Sequence, residues 1–130
     1  MTTHVIFLCP HNAAKSVASA AFMHRDAAAR GLDVEITTAG TDPDAEVLPI
    51  VRAHLEENDL PAGGTPRMVT AADLDAANHI INIGCPHELL PTEQSITDWS
   101  IPNFSDDPVV AFAAIASHVE ALADELAAMS

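Results

Sequence analysis

His4-Val5-Ile6-Phe7-Leu8-Cys9-Pro10-His11-Asn12-Ala13-Ala14-Lys15-Ser16 is the stretch on which the reading of this chain turns. Residues 4–8 form an apolar run, the pattern of a strand covered on both faces. From Ala14 the chain becomes rich in alanine, the best helix former, and a helix is expected over 14–30 with Gly31 as its stop. Between strand and helix lie a cysteine, five residues, a cation and a hydroxyl. A thiolate at neutral pH is favoured by a helix N-terminus, by unpaired backbone N–H groups and by a nearby cation. This loop offers all three. The N–H groups of His11, Asn12, Ala13 and Ala14 can curl inward as a nest for a tetrahedral anion, with Lys15 supplying charge. Asn12 tolerates the left-handed conformation that such a curl needs. Ser16 can donate to the Cys9 sulfur. Taken singly, Cys9 is equally a buried cysteine at a strand end; the combination points to an oxyanion site.

The remainder alternates in the same way. Strands are expected over 34–38, 79–83 and, more weakly, 95–99. Helices are expected over 45–58, over 71–77 behind a Thr70–Asp73 capping box, and from Pro108 to about 127 behind Asp106 and Asp107. Val17, Ala21, His24 and Ala28 form a candidate face of the first helix. Val47, Ile50, Val51, His54 and Leu55 do so for the second, and Phe112, Ile115, Val119, Leu122 and Leu126 for the last. Residues 61–66 read as a connector. Strands alternating with helices imply an α/β sandwich with a mostly parallel sheet. Right-handed crossovers then bring Cys9, Gly40, Cys85 and the loop after Trp99 to one edge, where such sheets bind ligands.

Composition sets the limits. With 130 residues, 48% of them hydrophobic, a single domain over 1–130 can build a core. Nineteen acidic residues face five basic ones, and the net charge of −14 argues against nucleic acid or an anionic membrane as partner. Lys15 is the only lysine. No apolar run is long enough to span a membrane, and no secretory signal is evident. Two cysteines make no disulfide framework, so a cytoplasmic location is expected. The histidines and cysteines lack zinc spacing, and neither a metal nor a cofactor is expected.

Cys9-Pro10-His11-Asn12-Ala13-Ala14-Lys15-Ser16 resembles the C-x5-R-S loop of the low-molecular-weight protein tyrosine phosphatases, and more closely that of their relatives, the thiol-dependent arsenate reductases. Thr38-Ala39-Gly40-Thr41 resembles the family's S-A-G-T. The strand ending at Cys85 resembles one that ends in a cysteine in the reductases, and Asp98-Trp99-Ser100-Ile101-Pro102-Asn103 resembles their D-W-D-L-P-D. The resemblance implies a three-layer sandwich around a four-stranded sheet. It also implies a loop cysteine that attacks phosphate or arsenate, a loop arginine that grips two equatorial oxygens, and an aspartate that protonates the leaving group. In the reductases a second thiol, from the protein, a small thiol or a thioredoxin-like partner, then releases arsenite.

The chain departs from that pattern at two of these groups. Lys15 stands for the arginine and lacks its planar fork. The loss of grip is roughly 2–5 kcal/mol, on the order of 10²–10⁴ in rate. Asn103 stands for the acid, and asparagine has no proton to give. Cys85 is either a resolving thiol or a buried strand-end cysteine, and His11 reads chiefly as structural. These residues imply a cysteine-based, arsenate reductase-like or phosphatase-like protein of reduced efficiency. The alternative is a catalytically degenerate member that binds phosphate or arsenate, or senses oxidants through Cys9.

Overall fold

A computed structural model of the chain describes residues 2–61 and 64–129; Ala62 and Gly63 of the expected connector lie outside them. The elements follow in the order β1 (Thr3–Leu8), α1 (Lys15–Arg30), β2 (Val34–Ala39), α2 (Pro49–Glu57), α3 (Ala71–Ala76), β3 (His79–Asn82), a 3-10 turn at His87–Leu89, β4 (Ile96–Asp98) and α4 (Pro108–Met129). The four strands lie in the order β2-β1-β3-β4, and every pairing is parallel.

β1 is central because it is apolar on both faces. Val5 and Phe7 point into one hydrophobic cluster, with α1, α4 and the Val51 and Leu55 side of α2. Ile6 and Leu8 point into a second, smaller cluster with Leu74 of α3, Ile80 and Leu90. Ile6, Phe7 and Leu8 are each fully buried, and burial of side chains of this size stabilises by about 1.5–3 kcal/mol apiece. The three layers are therefore helices, sheet and helices, with unequal cores. The expected stripe on α4 is intact: Phe112, Ile115, Val119, Leu122 and Leu126 are all buried.

Two expectations shift. The second helix begins at Pro49, not near residue 45, with Leu48 in extended backbone as its N-cap. Pro49 fixes a helical φ at the first turn and strips Leu48 of helical freedom. Of its expected stripe, Val47, Val51 and Leu55 are buried whereas Ile50 is 44% exposed. On α1, Val17 and Ala21 are buried but His24 and Ala28 face solvent, and Ala20, Met23 and Ala27 are buried instead. Alanine supplies too little apolar contrast to fix which side of such a helix turns inward. Both helix ends were otherwise legible: Gly31 terminates α1 at φ 65°, and the Thr70–Asp73 capping box is present in both directions. Among the described residues, no helix is long and apolar enough to cross a membrane.

Candidate active site

β1 ends at Leu8, and α1 starts at Lys15 with no side chain capping its N-terminus. The loop between them is held by bonds that use up its carbonyls and spare most of its N–H groups; the Asn12 N–H, expected in the nest, instead donates to Cys9 O at 3.2 Å. Pro10 O accepts from Asp42 N at 2.7 Å, His11 O from Asp44 N at 2.9 Å and Ala13 O from Leu48 N at 2.8 Å. All three donors belong to the β2–α2 connection, which therefore draws the loop carbonyls to one side. Among the described residues, the backbone N–H groups of His11, Ala13, Ala14 and Lys15 have no partner. Such a run of free donors at a helix N-terminus is a ready anion cradle.

Asn12 takes φ 49°, the left-handed conformation expected of it. Its side chain is 1% exposed and bonded at both ends: Oδ1 accepts from Arg67 N at 3.0 Å, and Nδ2 donates to Ser16 Oγ at 2.8 Å. Ser16 Oγ lies 3.0 Å from Cys9 Sγ, and Ser16 N donates to the same sulfur at 3.4 Å. Because the Asn12 amide occupies a lone pair of Ser16 Oγ, the hydroxyl proton is free to turn to the sulfur once the thiol ionises. Gly40 completes the fit. A Cβ there would lie 2.5 Å from Cys9 O and 2.6 Å from Pro10 O, so only glycine lets β2 pass beneath the loop.

Cys9 opens onto a cavity of about 470 Å³, whose walls include His11, Lys15, Asp44, Leu48, Asn103 and Phe104. Lys15 Nζ donates to Asn103 Oδ1 at 2.9 Å, so the two residues that depart from the expected motif meet across the mouth. Neither Asp106 nor Asp107 is among the residues lining that cavity. Asp107 Oδ1 accepts from Val109 N at 3.1 Å and Val110 N at 3.3 Å as the cap of α4, and Asp106 N donates to Asn103 O at 3.1 Å.

The second thiol is built differently. Cys85 is buried in the smaller cluster, whereas Cys9 lies in the larger one. A buried amide fixes its turn: Asn82 Oδ1 accepts from Cys85 N and Asn82 Nδ2 donates to Cys85 O, both at 2.9 Å. Asn82 Nδ2 also donates to Asp98 Oδ1 at 2.9 Å, and Asp98 holds His87 Nε2 at 2.8 Å and 3.0 Å. Burial pushes the Cys85 thiol up, assisted by the charge of Cys9 and partly offset by hydrogen bonding from Thr41. The hydrogen bond to His87 holds the Asp98 carboxyl below its ordinary value. A neighbouring cavity of about 390 Å³ lies over Cys85, Asp98 and Trp99 and shares Lys15, Ile83 and Gly84 with the first. Trp99 stacks on His118 of α4, with ring centroids 4.9 Å apart, and tilts against Phe7.

Thus Cys9, His11, Asn12, Ala13, Ala14, Lys15, Ser16 and Asn103 gather at one sheet edge, with Cys85 beside them but beneath the opposite face. Sequence reading missed Asp44 and Leu48 as wall residues, Arg67 as the support of Asn12, and Asn82 as the clamp on Cys85. Only Asn82 carried a signal, as a polar residue inside an otherwise apolar strand. Among the described residues, no cluster of His, Cys, Asp or Glu could hold a metal ion.

Comparison with known proteins converges on one family. The sequence model of the low molecular weight phosphotyrosine protein phosphatases matches residues 4–99. A Halobacterium salinarum protein named "Putative arsenate reductase" is 34% identical over 111 residues, which cover 82% of this chain and 75% of the relative. The crystal structure of an arsenate reductase from Archaeoglobus fulgidus is 30% identical, with a TM-score of 0.77 over 92% of this chain and 98% of that one. A thioredoxin-dependent arsenate reductase of Corynebacterium glutamicum has the same fold, with a TM-score of 0.83 at 22% identity; it covers 99% of this chain, which spans 64% of its length. With a strand–loop–helix thiol site on an all-parallel four-stranded sheet and a family match over 4–99, the chain belongs to the low molecular weight phosphotyrosine protein phosphatase family.

Proposed function

We propose that the chain handles tetrahedral oxyanions through Cys9, in the manner of an arsenate reductase. The observation that carries this is the setting of Cys9 Sγ: 3.0 Å from Ser16 Oγ and 3.4 Å from Ser16 N, at the wall of a cavity over an uncapped helix N-terminus. In the proposed cycle the Cys9 thiolate attacks arsenic, a sulfur–arsenic bond forms, and one oxygen departs. A second thiol then attacks Cys9 Sγ. The sulfur–arsenic bond breaks with its electron pair left on arsenic, so that arsenate leaves as arsenite and the two sulfurs leave as a disulfide. The reductant is a small thiol or a thioredoxin-like protein. Cys85 is disfavoured as that thiol because it packs in the other hydrophobic cluster, on a turn clamped by Asn82. No group in this cycle calls for a metal or a cofactor.

The names of the Halobacterium and Archaeoglobus relatives support arsenate over phosphotyrosine. A second reading, binding or oxidant sensing without turnover, draws on the Lys15–Asn103 contact at 2.9 Å. Lys15 offers one compact charge where a planar fork would hold two oxygens, and Asn103 has no acidic proton. The first reading carries a lowered efficiency, and the second none. Alkylation of Cys9 with and without arsenate or phosphate tests the site: both anions should protect the thiol, and absence of protection would overturn both readings. Arsenite formation with arsenate and a panel of thiols then divides them, since protection without turnover selects the binder.

A further inference from the structure

We infer that His11 is the proton donor to the oxygen that departs when Cys9 attacks. The inference rests on the oxyanion reading above. As the sulfur bonds to the central atom, the electron pair of the breaking bond passes to the leaving oxygen, which departs readily only as it takes a proton. The donor must come from the cavity wall. There the groups with a proton to exchange, besides Cys9, are His11, Lys15 and Asp44, with the Ser105 hydroxyl as a weak one.

Lys15 is a poor choice on chemical grounds. Its ammonium already donates to Asn103 Oδ1, and giving up a proton would discard the positive charge that the anion needs. Asp44 Oδ1 faces the His11 ring at 3.5 Å. His11 lines the cavity with its ring held at Nδ1. Its Nδ1 lies 3.0 Å from the carbonyl oxygen of Asp42; a carbonyl only accepts, so Nδ1 carries a hydrogen. That bond orients the ring and leaves Nε2 as the reactive nitrogen. Among the described residues Nε2 has no partner. The same connection fixes the backbone of His11, because Asp44 N donates to His11 O at 2.9 Å. Asp42 Oδ2, at 3.8 Å from Nδ1, and Asp44 face the ring from the β2–α2 connection, while Cys9 and Lys15 share the cavity from the loop and α1. The ring is 58% exposed, so solvent can restore its proton.

The step balances. The sulfur–arsenic (or sulfur–phosphorus) bond forms and the bond to oxygen breaks. The His11 Nε2 proton moves to that oxygen, which leaves as water from arsenate or as an alcohol from a phosphate monoester. The ring is left neutral, with Nδ1–H still donating to Asp42 O.

Leaving-group dependence tests the assignment, because a merely structural histidine would affect all substrates alike. His11→Gln should lower kcat about 100-fold or more on arsenate and on phenyl phosphate, within the range for a lost general acid. On 2,4-dinitrophenyl phosphate, whose leaving group departs unaided, it should cost less than about 3-fold. Asn103→Asp in the His11→Gln background, which puts an acid on the facing wall, should restore kcat on the poor leaving group. Equal losses on all substrates, no loss, or no turnover of any substrate by the unmodified chain would each overturn the assignment. Protection of Cys9 by arsenate, measured on the same samples, separates failure of the His11 role from failure of the oxyanion site.

Discussion

Lys15 Nζ donates to Asn103 Oδ1 across 2.9 Å, joining the start of α1 to the loop before α4 over the mouth of the Cys9 cavity. The contact ties together the two positions at which the sequence leaves its family's pattern. A lysine–asparagine pair leaves the ammonium's full charge available to an incoming anion, because the amide accepts a hydrogen bond without neutralising it. An ionised carboxylate in the same place would compete with the anion for Lys15.

That relation makes the two substitutions non-additive. Asn103→Asp alone should raise the KM for arsenate several-fold, since the new carboxylate pairs with Lys15. Lys15→Arg with Asn103→Asp should raise kcat/KM by at least about 10-fold, because a planar fork can hold the carboxylate and the anion together. Arsenite formation by the four members of the cycle checks this. Additive effects would mean that the 2.9 Å contact does not govern the site.

Gly40 should not tolerate a side chain. Gly40→Ala puts a Cβ within 2.6 Å of two loop carbonyls, both backbone atoms that cannot swing aside. The expected cost is about 1–3 kcal/mol of stability, with loss of anion protection at Cys9 because the loop must lift. Denaturant unfolding and alkylation read the two effects. A variant as stable and as well protected as the parent would contradict the fit.

Cys85 should resist alkylation until the medium is alkaline. Burial raises the Cys85 thiol above its ordinary value of 9.0, so its thiolate is suppressed until the medium passes that value. Peptide mapping after iodoacetamide treatment at neutral pH should find Cys9 modified and Cys85 intact, with Cys85 reacting only as the pH climbs beyond 9.0. Thr41→Val, which removes the hydrogen bond favouring the Cys85 thiolate, should delay its reaction further. Prompt modification of Cys85 at pH 7 would show that its cluster opens easily and would revive it as a resolving thiol.

Acid should weaken the fold partly through Asp73. The Arg67 guanidinium, in a forked pair at 2.9 Å and 3.0 Å, and Thr70 hold this carboxyl below its ordinary 3.8. A lowered carboxyl adds stability that is present above 3.8 and is lost as pH falls through the folded-state value. Asp73→Asn should cost about 1 kcal/mol at neutral pH, as for a lost cap, and should flatten the decline of stability below pH 3.8. Because Arg67 N also holds Asn12 Oδ1, this variant should loosen anion protection of Cys9 as well. A decline of stability below pH 3.8 as steep in Asp73→Asn as in the parent would refute the linkage.

Much of the architecture lay open in local patterns. The strand ending at Leu8, the left-handed Asn12, the Gly31 stop, the capping box and the apolar stripe of α4 each depend on a few neighbouring residues. The later start of α2 and the different buried face of α1 have local causes too: Pro49 holds Leu48 out of the helix, and alanine lacks apolar contrast. Within the site, the Cys9–Ser16 relation was legible because both residues belong to one loop. Asp42, Asp44 and Arg67 were not, because their contacts with that loop cross from other parts of the chain and leave no spacing to read.

By itself, the sequence determined the kind of fold and the chemistry on offer: a thiol, one lysine and a hydroxyl at the start of a helix, with an amide where an acid was expected. Only the tertiary structure decided how those groups are used. It brought Lys15 to Asn103 over 88 residues of chain, set Cys85 beneath the opposite face from Cys9, and turned the His11 ring through Asp42. The physical reason is that strand pairing and hydrophobic burial fix which loops become neighbours, and directional hydrogen bonds between those neighbours then fix which atoms face the cavity.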